Sequence, residues 1–247
     1  VTGGAGFIGS NFVHLMAKTS RFEITVLDAL TYAGDKRNLE PLLKQKRIDF
    51  IHDDITNELV GKKLIQNFDY VVNFAAESHV DRSIENPLGF VETNVLGVLN
   101  ILKSIGNRKI RLLQVSTDEV YGSLRNGFAS EEYPIQTGSP YSASKASADF
   151  LCQSFFNTYN TNVIITRCSN NYGTRQYPEK LIPLTINKLL KGEKVPIYGN
   201  GTNVRNWIHV LDHAEGIRLA LLHGKAGEIY NFGSFESFSN LSLVRKI

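Results

Sequence analysis

Thr2-Gly3-Gly4-Ala5-Gly6-Phe7-Ile8-Gly9-Ser10 stands almost at the start of the chain and decides how the rest is read. Gly4, Gly6 and Gly9 fit the pattern G-x-G-x-x-G, and Gly3, Gly6 and Gly9 fit its variant G-x-x-G-x-x-G. Glycines serve there because the backbone must turn tightly, approach a pyrophosphate closely and let the next helix aim its free N–H groups at the phosphates. By itself the pattern also describes a glycine-rich turn with no ligand. The context weighs against that alternative. Phe7, Ile8, Phe12, Val13 and Leu15 start an apolar helix, Glu23 to Leu27 reads as the next strand, and Asp28 ends it about twenty residues past Gly9. A carboxylate there accepts hydrogen bonds from an adenosine ribose and repels a 2′-phosphate, so NAD is expected in preference to NADP.

Outward from the loop, Ile48 to His52, Asp69 to Phe74, Ile110 to Val115 and Asn162 to Arg167 read as further strands, nearly continuous in apolar character. Between them apolar residues recur at helical spacing, as in Leu88, Val91, Val95, Val98, Leu99 and Leu102. The alternation predicts an α/β fold built on a doubly wound parallel sheet of the Rossmann type. After Arg167, Gly and Pro punctuate the sequence, and helices are expected only over Leu181 to Lys191 and Leu211 to His223. Residues 1–168 are therefore read as the NAD-binding domain and 169–247 as a smaller, mixed substrate lobe whose chain is free to cross back to the sheet. Both ends read as cut short. Val1-Thr2 supplies only the end of the strand that a glycine loop needs before it, and Ser239-Asn240 caps a helix through Leu241, Val244 and Ile247 that stops after about two turns.

Across 247 residues, 42% hydrophobic and 21% charged, the composition is that of an ordinary globular protein. Twenty-seven basic and 24 acidic residues leave a formal charge of +3 with no basic cluster, so no nucleic-acid partner is expected. No run of about 18 uninterrupted apolar residues occurs, so no membrane span is expected either. Cys152 and Cys168 form neither a disulfide framework nor a metal motif, which fits a reducing cytoplasm and no bound metal.

Three stretches carry further chemistry. Asp53-Asp54-Ile55 follows a strand where an adenine edge would lie, and reads equally as an acidic surface turn. Asn73-Phe74-Ala75-Ala76-Glu77-Ser78 follows the next, with small residues that would let a cofactor pass across the carboxyl edge of the sheet. Ser116-Thr117-Asp118-Glu119-Val120-Tyr121-Gly122 ends another strand on two adjacent carboxylates, unusual unless they are used or paired; a surface turn is the alternative. Tyr-x-x-x-Lys occurs twice, at Tyr32 and Lys36 and at Tyr141 and Lys145, and chance alone supplies such a pattern. Only the second opens a helical segment, after Ser139-Pro140, where residues four apart share a face. There Lys145 is expected to lower the Tyr141 phenol pKa, help hold a cofactor ribose and ready Tyr141 to take a proton from a sugar hydroxyl. An acid and a base beyond what hydride transfer needs point towards elimination. His79, His209 and His213 read as packing or hydrogen-bonding residues, Trp207 as core, and the cysteines as small hydrophobes. The apolar faces of Leu88 to Leu102 and Ala148 to Phe156 fit a core or a dimer seam.

Together with Asp-Ala-Leu-Thr-Tyr-Ala-Gly (28–34), Ala-Ala-Glu-Ser-His-Val-Asp-Arg-Ser (75–83), Ser-Pro-Tyr-Ser-Ala-Ser-Lys-Ala-Ser (139–147), Arg-Cys-Ser-Asn-Asn-Tyr-Gly (167–173) and Pro-Glu-Lys-Leu-Ile-Pro (178–183), these residues resemble the extended short-chain dehydrogenase/reductases, and within them the nucleotide-sugar 4,6-dehydratases. The resemblance runs along essentially the whole chain. It implies a hydro-lyase of deoxysugar biosynthesis that converts dTDP-glucose to dTDP-4-keto-6-deoxy-glucose, uses NAD as both oxidant and reductant, and forms a homodimer. A 4-epimerase or decarboxylase of the same family, or a non-catalytic NAD-binding scaffold, is the alternative.

Residue by residue, the resemblance implies Tyr141 as base for the glucose 4-hydroxyl, Glu119 as base at C5, Asp118 as acid for the departing C6 hydroxyl, Thr117 as partner of the 4-hydroxyl and Lys145 as the group that tunes Tyr141. With the glycine loop, it implies cofactor contacts at Phe7, Ile8, Asp28, Asp54 and Ile55, and at Ala75, Ala76, Ser78, Thr93 and Asn171. The nucleotide sugar is expected at Asn170, Lys180, Leu181, Pro196, Tyr198, Arg205 and Asn240, with Ser78 shared and Lys180 and Arg205 suited to a diphosphate. Gly173-Thr174-Arg175 and Arg205-Asn206-Trp207 depart from the family pattern, which has Gly-Pro-Tyr and an Asp at the second position.

Overall fold

The computed structural model describes residues 1–19, 21–59, 68–124, 127–197 and 199–247. Its main sheet is wholly parallel. Strands β1 (Ile24–Asp28) and β2 (Ile48–His52) pair on one side. On the other lie β3 (Tyr70–Asn73), β4 (Arg111–Thr117), β5 (Val163–Cys168) and β8 (Ile229–Phe232), hydrogen-bonded in that order. Thr2 joins the two halves, bridging to Leu27 and to Asn73. Its N–H donates to Val72 and its carbonyl accepts from Phe74, so the glycine loop leaves from the middle of the sheet. Beneath it Thr2 Oγ1 donates to Asn73 Oδ1, and Asn73 Nδ2 donates to Gln114 Oε1 at 2.7 Å, a buried polar row that pins three strands in register.

Side-chain alternation sends neighbouring residues of β4 and β5 to opposite faces. Leu113, Val115 and Ile164 enter one apolar cluster with Phe12, Val13 and Met16 of α1 (Phe7–Thr19) and Ala214, Ile217 and Leu221 of the later helix Val210–His223. Leu112, Val163 and Ile165 enter the other, with Val98, Ile101, Leu102 and Ile105 of Gly97–Ile105 and Ala148 and Cys152 of Pro140–Tyr159. Burial on both faces explains why these strands read as unbroken apolar runs.

The remaining helices complete the chain order: α2 (Glu40–Lys44), α3 (Val80–Glu85), α4 (Pro87–Val91), α5 (Gly97–Ile105), α6 (Pro140–Tyr159), α7 (Leu181–Leu190), α8 (Val210–His223) and α9 (Asn240–Lys246). A π-helical turn, Glu92–Leu96, joins α4 to α5. The apolar stretch Pro87–Ile105 has the length and hydropathy of a membrane span, but Val98, Ile101, Leu102 and Ile105 are spent in the core. The faces left open as core or seam divide: those inner residues pack, while Leu88, Val91, Leu96 and Phe150 stay exposed. After β5 the chain forms a small sheet above the carboxyl edge, β6 (Asn170–Tyr172) parallel to β7 (Val204–His209), which runs antiparallel to β9 (Ser237–Ser239). Between β7 and β9, α8 and β8 return to the main sheet.

Candidate active site

The first strand-to-helix turn is built so that side chains would obstruct it. Gly3 has φ +66°, and a Cβ there would lie 2.5 Å from the Ala75 nitrogen; at Gly9 it would lie 2.3 Å from the Gly3 carbonyl oxygen. Asp28, buried at the end of β1, braces the turn from below, one carboxylate oxygen accepting from Ala5 N and the other from Leu30 N, each at 2.8 Å. A carboxylate oxygen accepts more than one hydrogen bond, so capacity for a ribose hydroxyl remains. A glycine cradle at a helix N-terminus and a buried acid at the next strand end fit an adenine dinucleotide. A cavity of 1090 Å³ has a lining that includes Tyr32, Asp54, Glu77, Arg82, Phe90 and Thr93 but no residue of the glycine turn.

Of the expected cofactor residues, Asp54 and Thr93 line that cavity. Asp54 also closes a turn, its Oδ1 accepting from Thr56 N, as the acidic-turn reading of Asp53-Asp54-Ile55 expects. The Ile55 side chain packs into the space left by the missing Cβ of Gly97, which leaves its backbone for any ligand. Tyr32 hydrogen-bonds Glu77 and Ser78 and lies under the Arg82 guanidinium, 3.8 Å from ring centroid to carbon. Its Tyr-x-x-x-Lys partner faces elsewhere, with Lys36 Nζ over the Phe50 ring. Asn171, on β6, accepts from His213 Nδ1 at 2.9 Å. Burial drops the His213 pKa to about 3, so that ring is neutral.

α6 begins where Ser139 caps it, accepting from Ser142 N while the Ser142 hydroxyl accepts from Ser139 N; Pro140 fills the first turn. That start fixes Tyr141 and Lys145 in its first two turns, Lys145 buried and Tyr141 half-buried. Lys145 Nζ donates to the Val115 carbonyl at 2.7 Å. Burial pushes Lys145 down, opposed chiefly by the charge of Asp149. Tyr141 is pushed up, first by burial and then by Glu119, with Thr117 opposing. The lowering that the spacing predicts from Lys145 is thus outweighed, and the ligand-free protein holds Tyr141 as a neutral phenol.

β4 ends at Thr117, whose Oγ1 accepts from Glu119 N and starts the one-turn 3₁₀ helix Asp118–Tyr121. The carboxylate pair is not a surface turn. Burial and then the neighbouring Glu119 raise Asp118 to about 7, with Arg205 opposing. Burial raises Glu119 as well, opposed by Arg205 and Lys180. The small sheet therefore brings Arg205 of β7 within electrostatic reach of both acids, and Lys180, at the start of α7, reaches Glu119. Asn170 Nδ2 donates to the Asn206 carbonyl, Leu181 opens α7, Asn240 opens α9 and Pro196 is exposed in the segment after α7; Tyr198 lies outside the described residues. The departures from the family pattern have local partners. Asn206 Nδ2 donates to the Ser234 and Glu236 carbonyls, which an aspartate could not do, and Thr174 and Arg175 bond Asn11 of α1.

Sequence reasoning missed Asn94. From the π-helical turn it accepts from Glu77 N and donates to the Glu77 carbonyl and Ser144 Oγ, clamping the loop after β3 to α6. A lone buried amide inside an apolar helix was its only signal. Cys152 and Cys168 are buried free thiols, Cys168 raised to about 12. Trp207 is half-buried on β7. No group of three His, Cys, Asp or Glu that could hold a metal occurs among the described residues.

A parallel sheet with a glycine cradle, a buried Tyr-x-x-x-Lys pair and an acid pair over the same edge defines an NAD-dependent enzyme of the extended short-chain dehydrogenase/reductase class. The chain belongs to the family described as GDP-mannose 4,6 dehydratase, whose profile matches residues 1–247. It is 44% identical over 253 residues to a dTDP-glucose 4,6-dehydratase of Streptomyces niveus, covering 100% of this chain and 75% of that protein. The crystal structure of DesIV, a dTDP-glucose 4,6-dehydratase of Streptomyces venezuelae with NAD bound, superposes with a TM-score of 0.96 at 46% identity over 99% of this chain and 78% of its own. A UDP-glucose 4-epimerase of Thermotoga maritima superposes at 0.91 with 27% identity, over 99% and 79%.

Proposed function

We propose that the protein is an NAD-dependent hydro-lyase that converts dTDP-glucose to dTDP-4-keto-6-deoxy-glucose and water. The observation that carries this is the acid pair beside Tyr141: two adjacent carboxyl groups, both raised by burial and facing different opposing charges, offer an acid and a base in one place. Bound NAD supplies a hydride acceptor for C4 and a hydride donor for C6, and so ends each turnover as it began.

Tyr141 takes the proton of the 4-hydroxyl while Thr117 holds that oxygen. Because burial keeps Tyr141 neutral in the ligand-free chain, the base forms when the site is filled and positive charge faces it, with Lys145 as the resident cation. Glu119, with Arg205 and Lys180 favouring its ionised form, removes the C5 proton that the new ketone acidifies. Asp118, near 7, keeps a proton for the leaving C6 hydroxyl. The glycine loop, Asp28, Asp54, Thr93 and Asn171 hold the dinucleotide, and Lys180 and Arg205 take the sugar diphosphate. Residues 1–168 hold the cofactor and 169–247 the nucleotide sugar in this reading, although α8 and β8 serve the first lobe's sheet. We place the enzyme in the cytoplasm as a homodimer paired through the exposed apolar face of Leu88, Val91 and Phe150.

The test is incubation with dTDP-glucose followed by mass spectrometry. Loss of one water and a keto-sugar absorbance in alkali are expected; a sugar of unchanged mass sinks the reading. The epimerase reading makes no use of two carboxylates, and it is favoured if Glu119→Gln turns over like the wild type.

A further inference from the structure

We propose that Arg167 is a positioning residue that holds the turn carrying Asp118 and Glu119 in register with the helix carrying Tyr141 and Lys145. The inference rests on the dehydratase reading and adds a division of labour within it. Arg167 is a charged side chain on β5 of the main sheet, 1% exposed, set in register between Ser116 of β4 and Asn231 of β8. Its Nε donates to Asp149 Oδ2 at 2.9 Å. Asp149 is fully buried on α6, one turn beyond Lys145. Arg167 Nη1 donates to the Tyr121 hydroxyl, also at 2.9 Å, and that hydroxyl donates in turn to Asn231 Oδ1 of β8. Tyr121 is the last residue of the 3₁₀ turn that begins with Asp118 and Glu119. One planar fork therefore grips both halves of the catalytic apparatus, and the guanidinium carbon stands 4.9 Å from the Tyr121 ring centroid.

A buried ion pair adds little net stability over apolar packing of the same volume, so what this pair supplies is geometry. Geometry matters here because one sugar must meet Tyr141 at its 4-hydroxyl and Glu119 at C5 without rebinding, and a misplacement near 1 Å slows a chemical step by roughly a hundredfold.

The two arms can be cut separately. Tyr121→Phe removes the arm to the carboxylate turn, and Asp149→Asn the arm to α6. With dTDP-glucose, Tyr121→Phe is expected to form reduced nicotinamide at close to the wild-type rate, accumulate it, and lose water roughly ten to a hundred times more slowly, with a larger isotope effect from deuterium at C5. Asp149→Asn is expected to slow formation of the reduced nicotinamide itself. Arg167→Lys keeps a charge opposite Asp149 but not the fork, so it should behave as Tyr121→Phe does, and it decides the matter if Tyr121→Phe does not fold. The inference is overturned if Tyr121→Phe and Arg167→Lys slow both steps in equal proportion, as general loosening would, or slow neither. A wild type that releases no water from dTDP-glucose would instead sink the dehydratase reading, a result separate from either variant's.

Discussion

Tyr141 and Lys145, near the start of α6, form the floor of the candidate site, whereas Asp118 and Glu119 feel charges that arrive from beyond β5, and the two pairs are governed by different physics. In the floor, burial dominates and drives both residues towards their neutral forms, the phenol up and the ammonium down. For the carboxylates burial is again the largest cause, but Arg205 of β7 works against it at both, and Lys180, at the start of α7, at Glu119. The floor's charge state is thus set by residues up to Cys168. That of the acid pair depends also on Lys180 and Arg205, which arrive later in the chain, so whatever pairs with those cations will retune the acids first.

The largest effect is expected at the floor. Tyr141→Phe should lower turnover by ~10⁴, the upper end for a positioned base, and stop formation of reduced nicotinamide in a single turnover. Glu119→Gln should slow water loss by about 10³ yet still reduce the nicotinamide, a split visible by stopped-flow absorbance. If both variants stop at the same step, the two pairs are not separate. Arg205→Met should weaken substrate binding by roughly tenfold and leave Tyr141 unaffected. Since a positive charge favours carboxylates, its removal raises both acids, so both limbs of the kcat/KM pH profile should move to higher pH; a shift downwards would break the comparison. The smallest effect is one of stability. The folded Asp118 carboxyl titrates near 7 against an ordinary 3.8, so it stabilises the fold at low pH and loses that contribution as pH rises through 7. Ligand-free Asp118→Asn should therefore gain a few degrees in Tm over the wild type, the gap opening between about pH 4 and 7 and then staying level.

Much of this was legible in the sequence because the signals were local. Unbroken apolar runs marked strands buried on both faces, as Leu112 and Leu113 now show by entering different clusters. Ser139-Pro140 separated the functional Tyr-x-x-x-Lys from its chance copy, because a cap and a first-turn proline start a helix whatever surrounds it. Arg167, Asp149 and Tyr121 were not legible as a unit. They lie on a strand, a helix and a turn, and only the register that sets Arg167 beside Ser116 and Asn231 brings them together.

By itself the amino-acid sequence determined the parallel sheet, the glycine cradle with its acid at Asp28, and the residue types able to do the chemistry, since each follows from spacing along one segment. Only the tertiary structure decided that Asp118 and Glu119 are partly buried with raised proton affinity, that Tyr141 rests as a neutral phenol despite Lys145, and that Leu88 and Phe150 face outward while Val98 and Leu102 pack. Those outcomes depend on desolvation and on charges from distant segments, quantities that exist only once the chain has closed around them.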